Sequence, residues 1–325
     1  MIAKAFYPAV FLVLLLISCN NIREKKITLS EPEILHLENL SSASGIGVHN
    51  SVYYIVGDDT PWLYSLNSNF DVSGKTQISG IDSLYNGRTP KDQKADFECA
   101  DIISDNEGVY LFILSSGSMK ISRDTAHIVG IESNNYLHSK SLRPLYEKIK
   151  LKAVLPTKNE INIEGIAFSK EHVYLLHRGN VSENIIIKIN RSKFIKYIKS
   201  DSPIPQFEIY AFDLPIYQEV ASGFSGACVL PDNTGLIFTA SMEDTKDEIN
   251  DGKVLGSFIG IIPFSGIEDG NYIATLVTDN GLPVEKKLEG VCIISNTDNN
   301  NMVLVTVCDN DDGTSDIIKI KMEIN

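Results

Sequence analysis

One residue pattern recurs five times along this chain, and it restricts the fold more than any other feature of the sequence. Each copy begins with a small or acidic residue that is usually followed by glycine. A short β-rich run, a turn and a second apolar run that ends in polar residues come next. The copies begin at Ser44, Glu98, Glu164, Ser225 and Glu289, with a spacing of roughly 54 to 66 residues. The fold must therefore be built from one repeated unit.

Two further strand-like runs follow most of these copies, such as IIIKIN and FEIYAFDL after the third. Alternating apolar residues and β-branched side chains indicate strands, and clusters of Asp, Asn, Gly and Pro indicate turns. Four-stranded units repeated around an axis are typical of a β-propeller, whereas a sandwich or a barrel needs no such repetition. We therefore predict an all-β propeller of four-stranded blades. Five blades fit best, and six are the alternative because the stretch 131–160 is hard to assign.

The two ends of the chain predict how the ring of blades closes. No fourth strand follows DIIKIKMEIN in the fifth copy, while the strand-like stretch KITLSEPEILHLE precedes the first copy. We expect this N-terminal strand to complete the last blade. Only SLRPLYEKIKL has a helical pattern, and we predict that it forms a helix inserted between two blades.

The N-terminal segment predicts export and a lipid anchor. Lys4 precedes the apolar run FYPAVFLVLLLIS, which is too short to span a bilayer and ends at Cys19. Residues 16–19 resemble a lipobox, in which the cysteine is acylated. A plain signal peptide or a membrane helix is the alternative. We divide the chain into a signal peptide at 1–18, a polar tether at 19–27 and a single propeller domain at 28–325.

Several acyl chains on Cys19 would hold the protein stably on a membrane. The spacer NNIREKK lacks the acidic run that is typical of surface export. This favours the periplasmic side of an outer membrane over the cell surface. We expect a monomer at that location.

Composition limits the ligands and the redox chemistry. The formal net charge of -13 argues against nucleic acid, because phosphates require clustered Lys and Arg, and it suits a cation or a cationic ligand. The four later cysteines lack metal-site spacing and lie in or beside apolar strands: Cys99, Cys228, Cys292 and Cys308. We expect small buried residues, with a disulfide between Cys292 and Cys308 as the alternative.

A propeller brings distant polar residues together at one end of its axis. The first strand of each blade lines the axis and the second runs antiparallel to it. The start of the first and the end of the second therefore share one end, called the rim here. The predicted rim pairs are Ser44 with Asp58, Glu98 with Ser116 and Ser118, Glu164 with Arg178, Ser225 with Glu243, and Glu289 with Asp309. Neighbouring loops add Asp59, Arg123, Asp251, Asp311, Asp312 and Ser315.

Carboxylates crowded at the rim favour a bound cation. Like charges at short range raise one another's pKa or require a cation, and Ca²⁺ prefers oxygen ligands. The predicted Ca²⁺ ligands are Glu98, Glu164, Glu243, Glu289 and Asp309. Asp58, Arg123 and Arg178 are predicted to complete a ligand site, where the arginines neutralise carboxylates or bind an anion. The alternative is that each Glu-Gly pair only packs one blade against the next.

Several segments resemble the DUF6929 family, a Bacteroidota family of unknown function: KADFECADI, SSGS with Arg123, NIEGIAF with HRGN, SMEDT with DGKVLGS, and KLEGV with CDNDDGTSD. The resemblance covers nearly the whole chain after the signal peptide. More distantly, the Glu-Gly pattern resembles the esterase-like phytase and SdiA-regulated-like β-propellers, whose relatives include calcium-dependent phosphate ester hydrolases. Such a phytase is expected to carry several Lys and Arg beside its calcium, and here the sequence offers Arg123 and Arg178.

Three functions are open on the sequence alone. The first is a module that binds a small or anionic ligand, Ca²⁺, or both at the rim. The second is a metal-dependent hydrolase of phosphate or other esters, in which the metal activates water and Glu164 or Glu289 acts as general base. The third is a structural or protein-interaction scaffold. No serine or histidine motif indicates nucleophilic hydrolysis or a histidine metal site.

Overall fold

The computed structural model describes residues 26–80, 84–85, 87–118, 123–132, 137–155, 160–179, 182–244, 252–298 and 300–325. Within these ranges the chain is nearly all β, with five four-stranded blades arranged in a ring. The predicted five-bladed propeller is confirmed, and six blades are not. The proposed signal peptide, Cys19 and Asp251 lie outside the described residues.

The strands follow the repeat in order. Two short strands come first: β1 (Ile27–Leu29) and β2 (Glu33–Leu37). Blade 1 contains β3 (Ala43–His49), β4 (Val52–Gly57), β5 (Trp62–Leu66) and β6 (Val72–Gln77). Blade 2 contains β7 (Phe97–Asp105), β8 (Gly108–Ser115), β9 (Thr125–Gly130) and β10 (Leu137–Ser141), and helix α1 (Arg143–Ala153) follows. Blade 3 contains β11 (Ile163–Phe168), β12 (His172–His177), β13 (Asn184–Asn190), helix α2 (Arg191–Lys199) and β14 (Phe207–Phe212).

A short hairpin precedes each of the last two blades. The first hairpin is β15 (Ile216–Tyr217) and β16 (Val220–Ala221). Blade 4 contains β17 (Gly223–Val229), β18 (Gly235–Asp244), β19 (Lys253–Pro263) and β20 (Ile273–Leu276), with a 3₁₀ turn at Phe264–Gly266. The second hairpin is β21 (Thr278–Asp279) and β22 (Leu282–Pro283). Blade 5 contains β23 (Leu288–Asp298), β24 (Asn301–Asp309) and β25 (Ser315–Ile324).

The innermost strand of every blade is its first long strand, and these five strands form a closed ring. Each contacts the next in the cyclic order β3, β7, β11, β17, β23 and back to β3. Equivalent residues of neighbouring strands are adjacent: Gly45 lies beside Cys99, and Gly290 lies beside Ser44 and Ile46, the two neighbours of its equivalent Gly45. The strands therefore start at the same end of the axis, which is the rim.

Blade 5 takes its outermost strand from the N-terminal end of the chain, as predicted. β1 pairs with the end of β25, with Ile27 opposite Ile324. β2 pairs with its beginning, with Leu37 opposite Ser315. The two halves of this strand join the beginning of the described chain to its last blade and close the ring.

Buried apolar residues of the described chain form five clusters, and each lies between two neighbouring blades. Side chains alternate between the two faces of a strand, so each face of a blade packs against a different neighbour. Between blades 2 and 3, for example, the ring centroids of Phe112 and Phe168 lie 4.9 Å apart. Apolar burial between blades thus holds the ring together.

The inserted helix predicted from SLRPLYEKIKL is confirmed as α1. It buries Leu145, Tyr146 and Ile149 against the cluster between blades 2 and 3. A proline lies in its first turn, where the missing N–H costs no hydrogen bond.

The expectation that no other segment is helical was wrong, because α2 lies between β13 and β14. Its apolar residues Phe194, Tyr197 and Ile198 follow helical spacing and are buried in the same cluster. The Asn190 side chain accepts a hydrogen bond from the backbone N–H of Lys193 and caps the helix. The β-branched and aromatic content of this segment concealed the helical spacing.

All four cysteines of the described chain are buried and unbonded, which confirms the expectation of small buried residues over a disulfide between Cys292 and Cys308. Across the residues the structure describes, no helix has the length and apolar character needed to cross a bilayer.

Candidate functional site

Every innermost strand carries a β-bulge at the residue where its repeat begins. The pairing register between first and second strands shifts on either side of Ser44, Glu98, Glu164 and Ser225, and over Glu289 together with Gly290. A bulge leaves one residue out of the ladder and re-aims its side chain. The repeat seen in the sequence is therefore a repeated irregularity of the backbone at the rim.

The glycines of this repeat allow the innermost strands to approach one another closely. A Cβ atom on Gly226 would lie 2.0 Å from the carbonyl oxygen of Glu289 in the next blade. One on Gly290 would lie 2.7 Å from the carbonyl oxygen of Ser44. The Glu-Gly pair thus has two functions: the glycine packs the ring, and the glutamate carries a carboxylate at the rim.

Three of these glutamates converge from different blades. Glu98 of blade 2, Glu164 of blade 3 and Glu289 of blade 5 each offer a carboxylate oxygen, and these oxygens lie within 4.8 Å of one another. We call this set the carboxylate trio. It contains three of the five residues that the sequence predicted as Ca²⁺ ligands.

Two oxygens of the carboxylate trio are buried without a hydrogen-bond partner. Oε1 of Glu164 accepts a hydrogen bond from Nδ2 of Asn162 at 2.7 Å, and Oε1 of Glu289 lies 2.8 Å from Nζ of Lys287. The second oxygen of each glutamate, Oε2, has no hydrogen-bond partner among the described residues, although the two residues are only 4% and 2% exposed. Neither carboxylate accepts the backbone bonds that a purely packing role would require.

The pKa values of the trio reflect this crowding. Burial and the neighbouring Glu164 raise the pKa of Glu98 well above its ordinary value. Burial also raises the pKa of Glu289 to about 8, in spite of Lys287 and with the help of Glu164. Without a further positive charge, protons must compensate part of the negative charge here.

A second acidic group adjoins the trio and shares Glu98 with it. Asp58, Asp96 and Glu98 also bring carboxylate oxygens within 4.8 Å of one another. Here, however, the chain supplies its own cation, because Lys94 forms ion pairs with both Asp58 and Asp96. Arg123 adds a contact of 3.2 Å to Asp96. Burial alone would raise the pKa of Asp96, but Lys94 and Arg123 hold it below its ordinary value.

Glu243 lies beside the trio but belongs to an ion-pair network. Its Oε1 lies 3.3 Å from Arg178 and 3.2 Å from Lys287, which also contacts Glu289. Burial opposes ionisation, but the two cations lower the pKa of Glu243 to about 2. Arg178 also donates a hydrogen bond to the Ser241 hydroxyl at 2.8 Å.

Asp309 lies at the same end of the axis but is not one of the converging oxygens. Burial, and then the charge of Asp58, raise its pKa to about 7. Asp59 is paired with Arg88 in a neighbouring loop. Both residues extend the acidic rim without joining the carboxylate trio.

The polar residues that begin blades 1 and 4 have structural roles. The hydroxyl of Ser225 donates to the carbonyl oxygen of Leu288 at 2.6 Å, across the boundary between blades 4 and 5. The hydroxyl of Ser44 donates to the carbonyl oxygen of Ser42. Ser116 and Ser118 donate to Asp96 rather than to the trio.

Sequence reasoning missed several residues of the rim, and one signal could have found them. Asp96, Asn162 and Lys287 each stand two residues before the glutamate that begins a repeat. Residues two apart on a strand lie on the same face, so each of these side chains accompanies its glutamate. Lys94 stands two residues earlier again and was also missed. The rim is therefore richer in basic residues than the two predicted arginines.

A family profile described as "Family of unknown function (DUF6929)" matches residues 39–322 of the chain. No curated protein matches the sequence significantly. Among solved structures, a streptogramin B lyase is similar over 90% of this chain and 98% of its own, at 10% identity and a TM-score of 0.39. An α-L-arabinofuranosidase from Podospora anserina is similar over 87% and 91%, at 9% identity and a TM-score of 0.48. The tail fibre of Staphylococcus aureus phage P68 matches 90% of this chain with 52% of its own, at 13% identity and a TM-score of 0.46.

Proposed function

We propose, for a chain that belongs to the DUF6929 family, that the propeller is a binding module which holds one Ca²⁺ ion between Glu98, Glu164 and Glu289 and presents it to a small anionic ligand. The observation that carries this proposal is a pair of buried oxygens in the converging trio, Oε2 of Glu164 and Oε2 of Glu289, which have no hydrogen-bond partner in the part of the chain that the structure describes. Buried charged oxygens are costly unless they are paired or coordinate a metal.

The spacing of the trio suits calcium. Ca²⁺ binds oxygen at about 2.3 to 2.6 Å, so two oxygens on one ion are separated by at most about 5 Å. The trio oxygens lie within 4.8 Å of one another. All three carboxylates are carried by strands of a closed ring, which fixes their separation before any ion arrives.

The rim supports one cation site rather than two. In the group of Asp58, Asp96 and Glu98, Lys94 already occupies the position of a cation between the two aspartates. Beside the trio lie Lys287, which contacts Glu289 and Glu243, and Arg178, which contacts Glu243 and attracts the trio from a longer distance. These two cations serve four carboxylates. The trio is therefore the group with uncompensated charge.

An ion in the trio would keep positions open for a ligand. Ca²⁺ takes six to eight oxygen ligands, and three carboxylates supply only part of this number. Glu98 is partly exposed, whereas Glu164 and Glu289 are buried, so a ligand would reach the ion from the side of Glu98. An anionic group of a small molecule would complete the coordination, and Glu243 and Asp309 would shape the surroundings of that ligand.

Calorimetric titration of purified protein with Ca²⁺ tests the proposal. We expect one ion per chain, and a rise in melting temperature that EDTA reverses, because a ligand of the native state stabilises it. Glu164→Gln and Glu289→Gln should each weaken binding at least tenfold. Glu285→Gln is the matched control, since Glu285 is exposed and pairs with Lys253 in a loop before blade 5. Absence of binding to the wild-type protein, or equal affinity in all four proteins, would refute the site.

The same protein can be used to test the hydrolase alternative. Turnover of phosphomonoesters or acyl esters that requires Ca²⁺ and is lost in Glu164→Gln would favour catalysis over binding. The ion pairs of the rim favour the binding module over a phosphate ester hydrolase, because Lys94, Arg123, Arg178 and Lys287 each contact a carboxylate. These carboxylates compete with a phosphate ester for the basic side chains, whereas an ion held by the trio binds an anionic group directly.

The proposed lipid anchor would give the rim a direction. β1 begins beside Ile324, at the end of blade 5 opposite the rim, and Lys26 precedes it. A chain anchored at Cys19 would therefore turn its rim away from the membrane. Cys19→Ser should release the protein from the membrane fraction, and a variant that stays in that fraction would argue against acylation at this residue.

A further inference from the structure

A cavity lies in the axial channel towards the end opposite the rim. It has a volume of about 320 Å³, is lined by residues of all five innermost strands and is called the axial cavity here. Polar atoms contribute the larger share of its exposed wall, and the lining includes Ile46, Val48, Asp101, Phe168, Val229 and Val291. This volume is at the lower end of the range for sites that bind small molecules. It is independent of the carboxylate trio, because Asp101 stands three residues, or about 10 Å, further along β7 than Glu98.

Asp101 is the acidic group of this wall. Its two oxygens accept hydrogen bonds from the backbone N–H groups of Ile102 at 2.8 Å and Phe168 at 2.7 Å, which fix its direction. The side chain is partly exposed into the cavity although it lies deep in the molecule. Burial raises its pKa to about 7, in spite of these two hydrogen bonds. A carboxylate of this kind has room for a third donor.

The remaining wall offers no competing cation. No Lys or Arg lines the cavity in the part of the chain that the structure describes. His49, at its edge, is engaged with Glu132 at 3.1 Å. Within the described ranges no Lys, Arg or His lies at ion-pair distance from Asp101. Arg191 acts on Asp101 only from a longer distance, where it lowers the pKa of the carboxyl against the effect of burial, and it donates a hydrogen bond to the carbonyl oxygen of Ser169 at 3.2 Å. A ligand's positive group is therefore the partner that this carboxylate lacks.

We propose that the axial cavity binds a small molecule with a single ammonium group, which Asp101 accepts while the rest of the molecule lies against Phe168, Val229 and Val291. An ammonium donates the additional hydrogen bond that the carboxylate can take, and it supplies the opposite charge. An anion finds no partner there, and a neutral molecule leaves the carboxylate uncompensated. This inference does not depend on the Ca²⁺ site at the rim.

Three probes that share a phenyl ring and differ in the charge of its substituent test the proposal: benzylamine, benzyl alcohol and benzoate. Saturation-transfer NMR and calorimetry on the full chain at pH 7.5 should show binding of benzylamine, at least roughly tenfold tighter than benzyl alcohol, since a hydrogen bond to a charged group contributes enough for that ratio. Benzoate should not bind. Equal binding of all three probes, or no binding of benzylamine at millimolar concentration, overturns the proposal.

Two substitutions, Asp101→Asn and Val229→Phe, locate the site, and Asp105→Asn is the control. Asp101→Asn should remove the preference for benzylamine over benzyl alcohol, and Asp105→Asn, an exposed position at the end of the same strand, should leave it unchanged. Val229→Phe should fill the cavity and weaken all binding. If Asp101→Asn fails to fold, Val229→Phe and the probe series on the wild-type protein still test whether the cavity binds the amine. A preference that survives both substitutions refutes the assignment.

Discussion

The ammonium nitrogen of Lys287 lies 2.8 Å from Oε1 of Glu289, two residues further along the chain. The same nitrogen lies 3.2 Å from Oε1 of Glu243. One positive charge is thus divided between two carboxylates, and Oε2 of Glu289 is left buried without a partner. This division connects the stability of the ring to the charge state of the rim.

Stability without Ca²⁺ should fall as the pH rises from about 5 to 8. Burial raises the folded-state pKa of Glu289 to about 8, above the ordinary value of 4.5, so the folded protein binds more protons than the unfolded chain in this window. The contribution of this group is complete below pH 4.5 and is lost as the pH passes 8. Asp309, with a pKa of about 7, acts in the same direction. Melting temperatures in EDTA from pH 5 to 9 check this, and Glu289→Gln should flatten the profile. A wild-type profile that rises with pH would contradict it.

Glu243→Gln should lower the free energy of unfolding at pH 7 by about 3 kcal/mol, because removing one partner from a buried ion pair leaves uncompensated charge. Arg178 would lose its 3.3 Å contact with Glu243.

The stabilising contribution of Glu243 should also depend on pH. Its folded-state pKa is about 2, so this contribution is present above pH 4.5 and lost as the pH falls towards 2. Urea unfolding at pH 7 and pH 3 measures both effects. Glu285→Gln is the control, since its exposed pair with Lys253 contributes less than about 1 kcal/mol. Equal losses of unfolding free energy in Glu243→Gln and Glu285→Gln would show that the ion pairs of Glu243 do not stabilise the ring.

Gly226→Ala should destabilise the ring by about 3 kcal/mol or more, because its Cβ would lie 2.0 Å from the carbonyl oxygen of Glu289. The innermost strands of blades 4 and 5 would have to separate. Gly74→Ala is the matched control, as its Cβ would meet only Ser65 at 3.5 Å in ordinary contact. Denaturant unfolding of both variants checks this. A Gly226→Ala protein as stable as the Gly74→Ala protein would show that the strands do not approach so closely.

Removal of the closing strand should open the propeller. A chain that begins at Lys26 keeps β1 and β2 and should melt like the full-length protein. A chain that begins after Leu37 exposes the edge of β25 and should melt at a lower temperature and self-associate, because an unpaired strand edge promotes pairing with other chains. Differential scanning fluorimetry and light scattering distinguish the two. Identical behaviour would mean that closure adds nothing to stability.

Much of the rim could be predicted because the repeat is regular in sequence. Once four strands are assigned to each copy, Glu98, Glu164 and Glu289 must occupy equivalent positions, and equivalent positions meet at the axis. The sequence could not show which carboxylates already have a cation. Lys94 and Lys287 lie near their partners in the chain, yet their contacts depend on side-chain direction at a bulge, which no periodicity encodes.

Alone, the sequence determined the all-β class, the five blades, the N-terminal closing strand and the end of the axis at which acidic residues collect. These depend on local alternation and on a repeat, which are visible residue by residue. Only the tertiary structure decided that three carboxylates converge within 4.8 Å and that Glu243 is neutralised while Glu164 and Glu289 each keep an oxygen without a partner among the described residues. It also decided that Asp101 faces the cavity towards the opposite end of the axis. Those facts depend on distances between blades, and packing across the ring sets such distances.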